Sequence, residues 1–162
     1  MTESETKSVK ELQEYIDGGI IPARAMRFKV ERCCSSEVTL FAPLEFNSND
    51  KGTCFAGSSA SLATLACWAL ADRLSRDWAA SSSSAVPSVV AKETSIRYRR
   101  PISSDFSSTC ISPSPEIVRD FMDLLSKQGK ASIELESTVI SKVSPSESCV
   151  IFRGVFVAIA RH

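Results

Sequence analysis

Histidine is nearly absent. The 162-residue chain holds one, and it is the last residue, His162. Systems that pair a serine or cysteine nucleophile with an imidazole need that imidazole held in place, and a chain terminus holds it poorly. Zinc sites built on histidine are excluded on the same ground. The six cysteines (Cys33, Cys34, Cys54, Cys67, Cys110 and Cys149) contain no CxxC pair, so no metal site is expected from them. Net charge is absent as well, since 19 basic residues balance 19 acidic ones. That balance argues against a general nucleic-acid binder and permits self-association. A clean transmembrane run is missing. The longest charge-free stretch, from Gly52 to Ala71, is interrupted by serines and threonines between Thr53 and Thr64. The opening residues MTESETKSVKELQEY are polar and carry no secretory pattern. These features lead to the expectation of a cytoplasmic protein with reduced, mostly buried thiols and no disulfide scaffold.

What is present centres on Asn47 to Trp78. The stretch opens on turn formers (Asn47, Ser48, Asn49, Asp50, Gly52) and becomes the longest helix-compatible run in the chain. Between Ala60 and Leu74 the apolar residues fall on every side of a helix, which marks it as buried. Its expected length is about 20 residues, or about 30 Å at 1.5 Å per residue. The simplest arrangement is one helix with a curved sheet wrapped around it, and the polar turn at its start is the place to look for chemistry.

The rest of the chain fits such a sheet. Residues 1–19 are expected to form a disordered tail and a short helix over Ser8–Ile16, ended by Gly18-Gly19. Residues 20–162 are expected to form one domain, beginning with an extended connector at Ile20-Ile21-Pro22. Alternation predicts strands over Arg27–Cys33 and Glu37–Ala42, joined as a hairpin. Residues 79–88 are serine-rich and read as a loop. Strands follow at Val89–Arg100 and Asp105–Ile111. A helix is expected over Ser114–Gln128, with Ser114 as N-cap and Pro115 at its first position. Two further strands, Lys130–Val143 and Cys149–Ala160, complete the set, the last apolar on both faces except at Arg153. Runs of strands with segregated helices indicate an α+β fold on an antiparallel sheet.

The residues Asn49, Gly52, Phe55 and Gly57 resemble the N-x-x-G-x-x-F-G-G segment that leads into the central helix of hotdog-fold acyl-CoA thioesterases, with Ala56 where a glycine is usual. The likeness is closer to a thioesterase domain group found alone or fused behind an acetyltransferase domain in some bacteria. The shared pieces are Ile21-Pro22, Ala42 to Trp68, Ile96 to Asp105 (IRYRRPISSD) and Phe152 to Ala158 (FRGVFVA), in the same order along the chain. The resemblance implies a hotdog fold, a homodimer or dimer of dimers, and an acyl-CoA or acyl-carrier thioester bound at the subunit interface. Coenzyme A enters as part of the substrate, and no separate cofactor is implied.

Thioester hydrolysis needs a polarised carbonyl, an activated water and stabilisation of an oxyanion. The buried helix start offers free N–H groups and the positive end of a dipole. Gly57 and Ser58 are the expected donors, and the missing side chain of Gly57 allows close approach. Phe55 would line the acyl pocket. Asn49 donates to the carbonyl or orients a water, or else serves as a turn residue, as Asn47 does if it touches no substrate. Asp50 and Glu45 are the nearby carboxylates available as a general base. Related thioesterases commonly place a carboxylate about four helical turns after this asparagine, where this chain has Thr64. Another branch places one three residues before the turn glycine, which here is Asn49 itself. Arg97, Arg99 and Arg100 either hold the phosphates of coenzyme A or form a solvated strand face. Trp68 and Trp78 read as core or dimer contacts. A non-catalytic acyl or CoA binder stands as the alternative, whereas a hydratase of this fold would need the histidine that the chain lacks.

Overall fold

A computed structural model describes residues 2–160, so His162 lies outside the described residues. The chain opens with helix α1 (Glu3–Gly19) and the short helix α2 (Ile21–Ala25), followed by strands β1 (Lys29–Cys34) and β2 (Glu37–Ala42). A 3-10 turn at Leu44–Phe46 leads into the long helix α3 (Ala56–Ser82). Strands β3 (Ser88–Tyr98) and β4 (Phe106–Ile111), helix α4 (Pro115–Gln128), and strands β5 (Lys130–Ser141) and β6 (Ser144–Ile159) complete it. The strands form one antiparallel sheet in the order β1-β2-β4-β5-β6-β3. Helix α3 touches all six of them. A sheet that contacts one helix with every strand must curl around it, and the result is the hotdog fold.

The helix allows this because its buried face is built from small and medium side chains. Ala63, Ala66, Cys67, Ala69 and Ala71 let the sheet approach, and Leu62, Leu70 and Leu74 fill the space between them. Ser137 of β5 is buried and donates to the Ala63 carbonyl, so even its hydroxyl is satisfied. Phe106, Phe121, Phe152 and Phe156 close the core around the helix. Burying such aromatics removes large apolar areas from water, and each is worth roughly 1.5–3 kcal/mol.

Several elements depart from the sequence expectations. Helix α1 begins at Glu3 rather than Ser8, because Thr2 and Glu5 form a capping box: Glu5 N–H donates to Thr2 Oγ1 and Thr2 N–H to Glu5 Oε2. Ile21-Pro22 is not an extended connector but the first turn of α2, where the proline's missing N–H costs no hydrogen bond. Helix α3 runs on to Ser82, because the hydroxyls of Ser81 and Ser82 both bond back to the Trp78 carbonyl and Ser83 ends the helix in a left-handed conformation. All six cysteines are free thiols.

The two sheet edges differ. Helix α1 covers β1, and Gln13 ties to it directly, accepting from Val30 N–H and donating to the Phe28 carbonyl. The opposite edge, β3, pairs only with β6 and leaves eight of its eleven residues exposed. No described helix is long and apolar enough to cross a membrane.

Candidate functional site at the start of the long helix

Asn47 to Phe55 form a compact turn whose polar groups are mostly committed to each other. Asn47 is buried, and its amide donates to the carbonyls of Met26 and Pro43 at 2.8 Å each. Its backbone carbonyl accepts from Phe55 N–H. Asn49 Oδ1 accepts from the backbone N–H groups of Lys51 and Thr53, and its Nδ2 donates to Thr53 Oγ1 at 3.0 Å. Asparagine favours such local bonding, which mimics a backbone turn. Gly52 takes φ 73°, in the left-handed region that a side chain would disfavour. The turn is therefore rigid, and it delivers Phe55 as the residue before α3.

Helix α3 starts without a side-chain cap. The N–H groups of Ser58 and Ser59 both bond to the Phe55 carbonyl, at 3.0 and 3.3 Å. Among the described residues the N–H groups of Ala56 and Gly57 have no partner. The free donors thus sit one residue earlier than the sequence suggested: Gly57 as expected, and Ala56 in place of Ser58. A natural N-cap would be Ser, Thr, Asp or Asn, and Phe55 can satisfy neither donor. The Phe55 ring packs over Gly57, and a Cβ there would lie 2.3 Å from its Cε1, so a side chain at this position would push the exposed ring aside.

One cavity opens at this helix start and a second lies further along the helix. The first, about 340 Å³, lies between Ala56, Cys54 and Ser59 and the end of β3, where Tyr98, Arg99 and Arg100 project. The Tyr98 hydroxyl donates to the Ala56 carbonyl at 3.2 Å and joins the two elements. Arg100 pairs with Glu147, whereas Arg99 makes no ion pair among the described residues. Arg97 goes elsewhere: it lines a separate hollow with Ser95 and Arg153. Alternation along a strand explains the split between Arg97 and Tyr98. The Cys54 thiol at this cavity is no nucleophile at neutral pH, because burial pushes it up to about 11.

The second cavity, about 400 Å³, runs along α3 past Ala60, Ser61, Thr64, Leu65 and Trp68. No charged side chain lines it. Its far walls come from both edges of the sheet, Phe28 before β1 and Ala91 on β3, with Ile20 and Pro22 alongside. The cavity is the slot where the curled sheet fails to close around its helix. Gly57, Ser61, Thr64 and Trp68 share one helix face at the i, i+4, i+7, i+11 spacing, so the face that lines the slot from Ser61 to Trp68 continues back to Gly57. The slot itself was not legible from the sequence, because its walls bring Phe28 and Ala91 to one cavity across a long chain separation.

The carboxylates are placed differently. Asp50 is exposed and ion-paired to Lys51, at 3.1 Å. Glu45 is also exposed. Asp105 caps the 3-10 turn by accepting from Leu44 N–H. Neither cavity has an Asp or Glu in its lining. Thr64 donates its hydroxyl to the Ala60 carbonyl within the helix.

The family model described as "Putative thioesterase (yiiD_Cterm)" matches residues 9–160. Among solved structures, a protein of unknown function from Chlorobaculum tepidum superposes with a TM-score of 0.84 at 25% identity, covering 97% of each chain. A protein from Shewanella oneidensis described as a "putative thioesterase" superposes with a TM-score of 0.79 at 21% identity, over 95% of this chain and 99% of that one. A Pseudomonas aeruginosa protein described as a "Probable Thioesterase" gives 0.75 at 20% identity, over 94% and 95%. The last two likenesses speak for the fold. No functionally curated protein matches the chain.

Proposed function

We propose, from the premise that this chain belongs to the YiiD_C thioesterase family, that it hydrolyses an acyl-CoA or acyl-carrier thioester at the start of α3. The observation that carries the reading is the uncapped helix: the N–H groups of Ala56 and Gly57 are free, Ala56 borders the arginine-lined cavity, and a charge-free slot begins one turn on at Ala60. The acyl group occupies the slot, and the exposed Phe55 ring over Gly57 covers the helix face that leads to it. The phosphates of coenzyme A lie toward Arg99 and Arg100, where guanidinium groups bind phosphate in a fork. The thioester carbonyl then rests over the helix start.

The chemistry follows from that pose. Water attacks the carbonyl carbon, and the carbonyl oxygen gains the negative charge. The Ala56 and Gly57 N–H groups and the helix dipole stabilise this oxyanion where it forms. Collapse of the intermediate breaks the carbon–sulfur bond and releases a thiol and a carboxylate. Asp50 takes the proton from water and returns it to the departing sulfur. Asn49 positions Asp50 by holding the turn. The unit is a homodimer formed along the open β3 edge, whose unpaired backbone groups are a template for a second copy. A second copy there would also cover the mouth of the slot at Ala91.

The test is release of free coenzyme A from short, medium and long acyl-CoAs by the purified protein, read against protein alone because the chain has thiols of its own. Hydrolysis above the buffer rate is expected, and Asp50→Asn is expected to lower kcat about 100-fold or more. No hydrolysis at any chain length overturns the enzymatic reading. A second reading, a non-catalytic acyl or CoA binder, is favoured by one observation: neither cavity is lined by a carboxylate. Calorimetric binding of acyl-CoA without turnover would decide for it.

A further inference from the structure

The slot has a built end. We infer that Trp68 is the residue that limits acyl-chain length, and that it selects medium-chain thioesters. This rests on the thioester reading of the helix start and adds to it the class of acyl group.

Trp68 is held from two sides. Its indole N–H donates to the Val89 carbonyl of β3 at 3.0 Å. The Tyr15 ring of α1 stacks against it with centroids 5.5 Å apart and planes 22° from parallel. A ring fixed by a hydrogen bond on one side and an aromatic stack on the other is a rigid stop, not a flexible wall. The lining between the helix start and this ring offers no charge and only the hydroxyls of Ser61 and Thr64, one of which is spent on the Ala60 carbonyl. Such a lining accepts an unsubstituted hydrocarbon and offers nothing to a charged acyl terminus.

The length follows from helix geometry. Gly57 and Trp68 are eleven residues apart, so the axis advances about 16 Å between them at 1.5 Å per residue. Helix side chains lean toward the N-terminus, so the indole covers about the preceding turn, which leaves about 11 Å. An extended chain advances about 3.5 Å for three backbone bonds, or about 1.2 Å per bond. The slot therefore takes about nine bonds beyond the thioester carbonyl, an acyl group of about eight to ten carbons. Removing the indole opens about one further turn, 5.4 Å, or about four more carbons.

The experiment is a ladder of saturated acyl-CoAs from four to sixteen carbons, read both as kcat/KM and as Kd by calorimetry. The wild-type protein should peak near eight to ten carbons. Trp68→Ala should move the peak about four carbons longer and raise the ratio of fourteen- to eight-carbon kcat/KM at least tenfold. Trp68→Phe keeps a ring at the stop and should leave the peak in place, although it loses the bond to Val89. Thr64→Phe, one turn nearer the helix start, should move the peak shorter. A Trp68→Ala ladder that runs parallel to wild type overturns the inference, whatever its absolute height. If acyl-CoAs bind but are not hydrolysed, the hydrolytic reading fails while the Kd ladder still judges Trp68. If none binds, both fall.

Discussion

The two halves of α3 obey opposite rules. From Ala56 to Ala71 the helix carries no ionisable carboxylate or base, starts without a cap, and has a cavity on each of two faces. From Asp72 onward its charged side chains are bonded to neighbours, although among the described residues Arg73 Nε is buried without a partner and Asp72, Arg73 and Arg76 line a cavity of about 280 Å³ against α1. Asp72 accepts from Arg76 Nε at 2.6 Å, Arg73 bonds to Asp77 and to Ser8 Oγ, and Ser75 donates to the Ala71 carbonyl. Trp78 donates to Ser126 of α4, and Ser83 closes the helix in a left-handed cap. The same rod of backbone is thus a scaffold at one end and a set of unmet donors at the other. Unpaired donors at a helix start cost stability unless a ligand or water meets them. The contrast separates two kinds of opening along one helix: backbone donors without charge at its start, and a charge-lined hollow whose acids and bases are largely paired with each other further on.

Breaking the contrast at its open end should give the largest effect. Ala56→Pro deletes one of the two free N–H groups and nothing else. Proline is favoured at the first position of a helix, and Phe55 already has the extended backbone (φ −62°, ψ 131°) that a following proline requires. The helix should therefore form as before, with thermal stability unchanged or slightly raised. Activity should fall about 100- to 1,000-fold in kcat, as when an oxyanion donor is removed elsewhere. A variant that folds and retains full kcat would show that the Ala56 N–H takes no part in the reaction.

How much of this was written in the residues depends on the range over which each feature is decided. Strand β2 ran over Glu37–Ala42 as its alternation required, and α4 began at Pro115 and ended before Gly129, because caps and turns are settled by neighbours. The six strands and one buried helix were legible for the same reason, and the family resemblance supplied their arrangement. The capping box Thr2–Glu5 was present in the sequence and was masked by the polar composition around it. The serines after Trp78 looked like a loop, since their bonds to a carbonyl one turn back are a choice between helix and solvent. At the site, the turn and Gly57 were legible. Which N–H groups stay free was not, because it depends on Ser58 and Ser59 sharing the Phe55 carbonyl. The separation of Arg97 from Arg99 depended on where regular pairing stops after Tyr98, with the Arg99 and Arg100 N–H groups both bonding to the Cys149 carbonyl.

That separation offers a sharper, intermediate test of where the open end stops. Arg99 reaches the cavity beside Ala56, and Arg97 lines a hollow with Arg153 instead. Arg99→Ala should raise KM for acyl-CoA about tenfold with kcat little changed, as expected for loss of a charge-assisted phosphate contact worth about 1.5 kcal/mol. The effect should shrink as salt is added, since the group is exposed. Arg97→Ala should change KM less than about twofold on the same scale. Equal effects from the two arginines would mean that general surface charge, not the cavity, draws the substrate.

The smallest catalytic effect is expected from the charged end of the helix, where burial decides the outcome. The Asp72 side chain is only 12% exposed, whereas its partner Arg76 is 45% exposed. Breaking a fully buried pair costs about 3–5 kcal/mol. Here the arginine can recover water once its partner is gone, which reduces the cost to about 1–2 kcal/mol. Asp72→Asn keeps the shape of the side chain and removes the charge, so it should lower the unfolding midpoint with the denaturant slope unchanged. At temperatures where both proteins are folded, kcat should stay within about twofold, because α3 transmits nothing from Asp72 to Ala56 except its own rigidity. Unfolding curves and initial rates on the same samples decide it. A loss of kcat without a loss of stability would make the two halves one functional unit, and the division of the helix into scaffold and site would have to be given up.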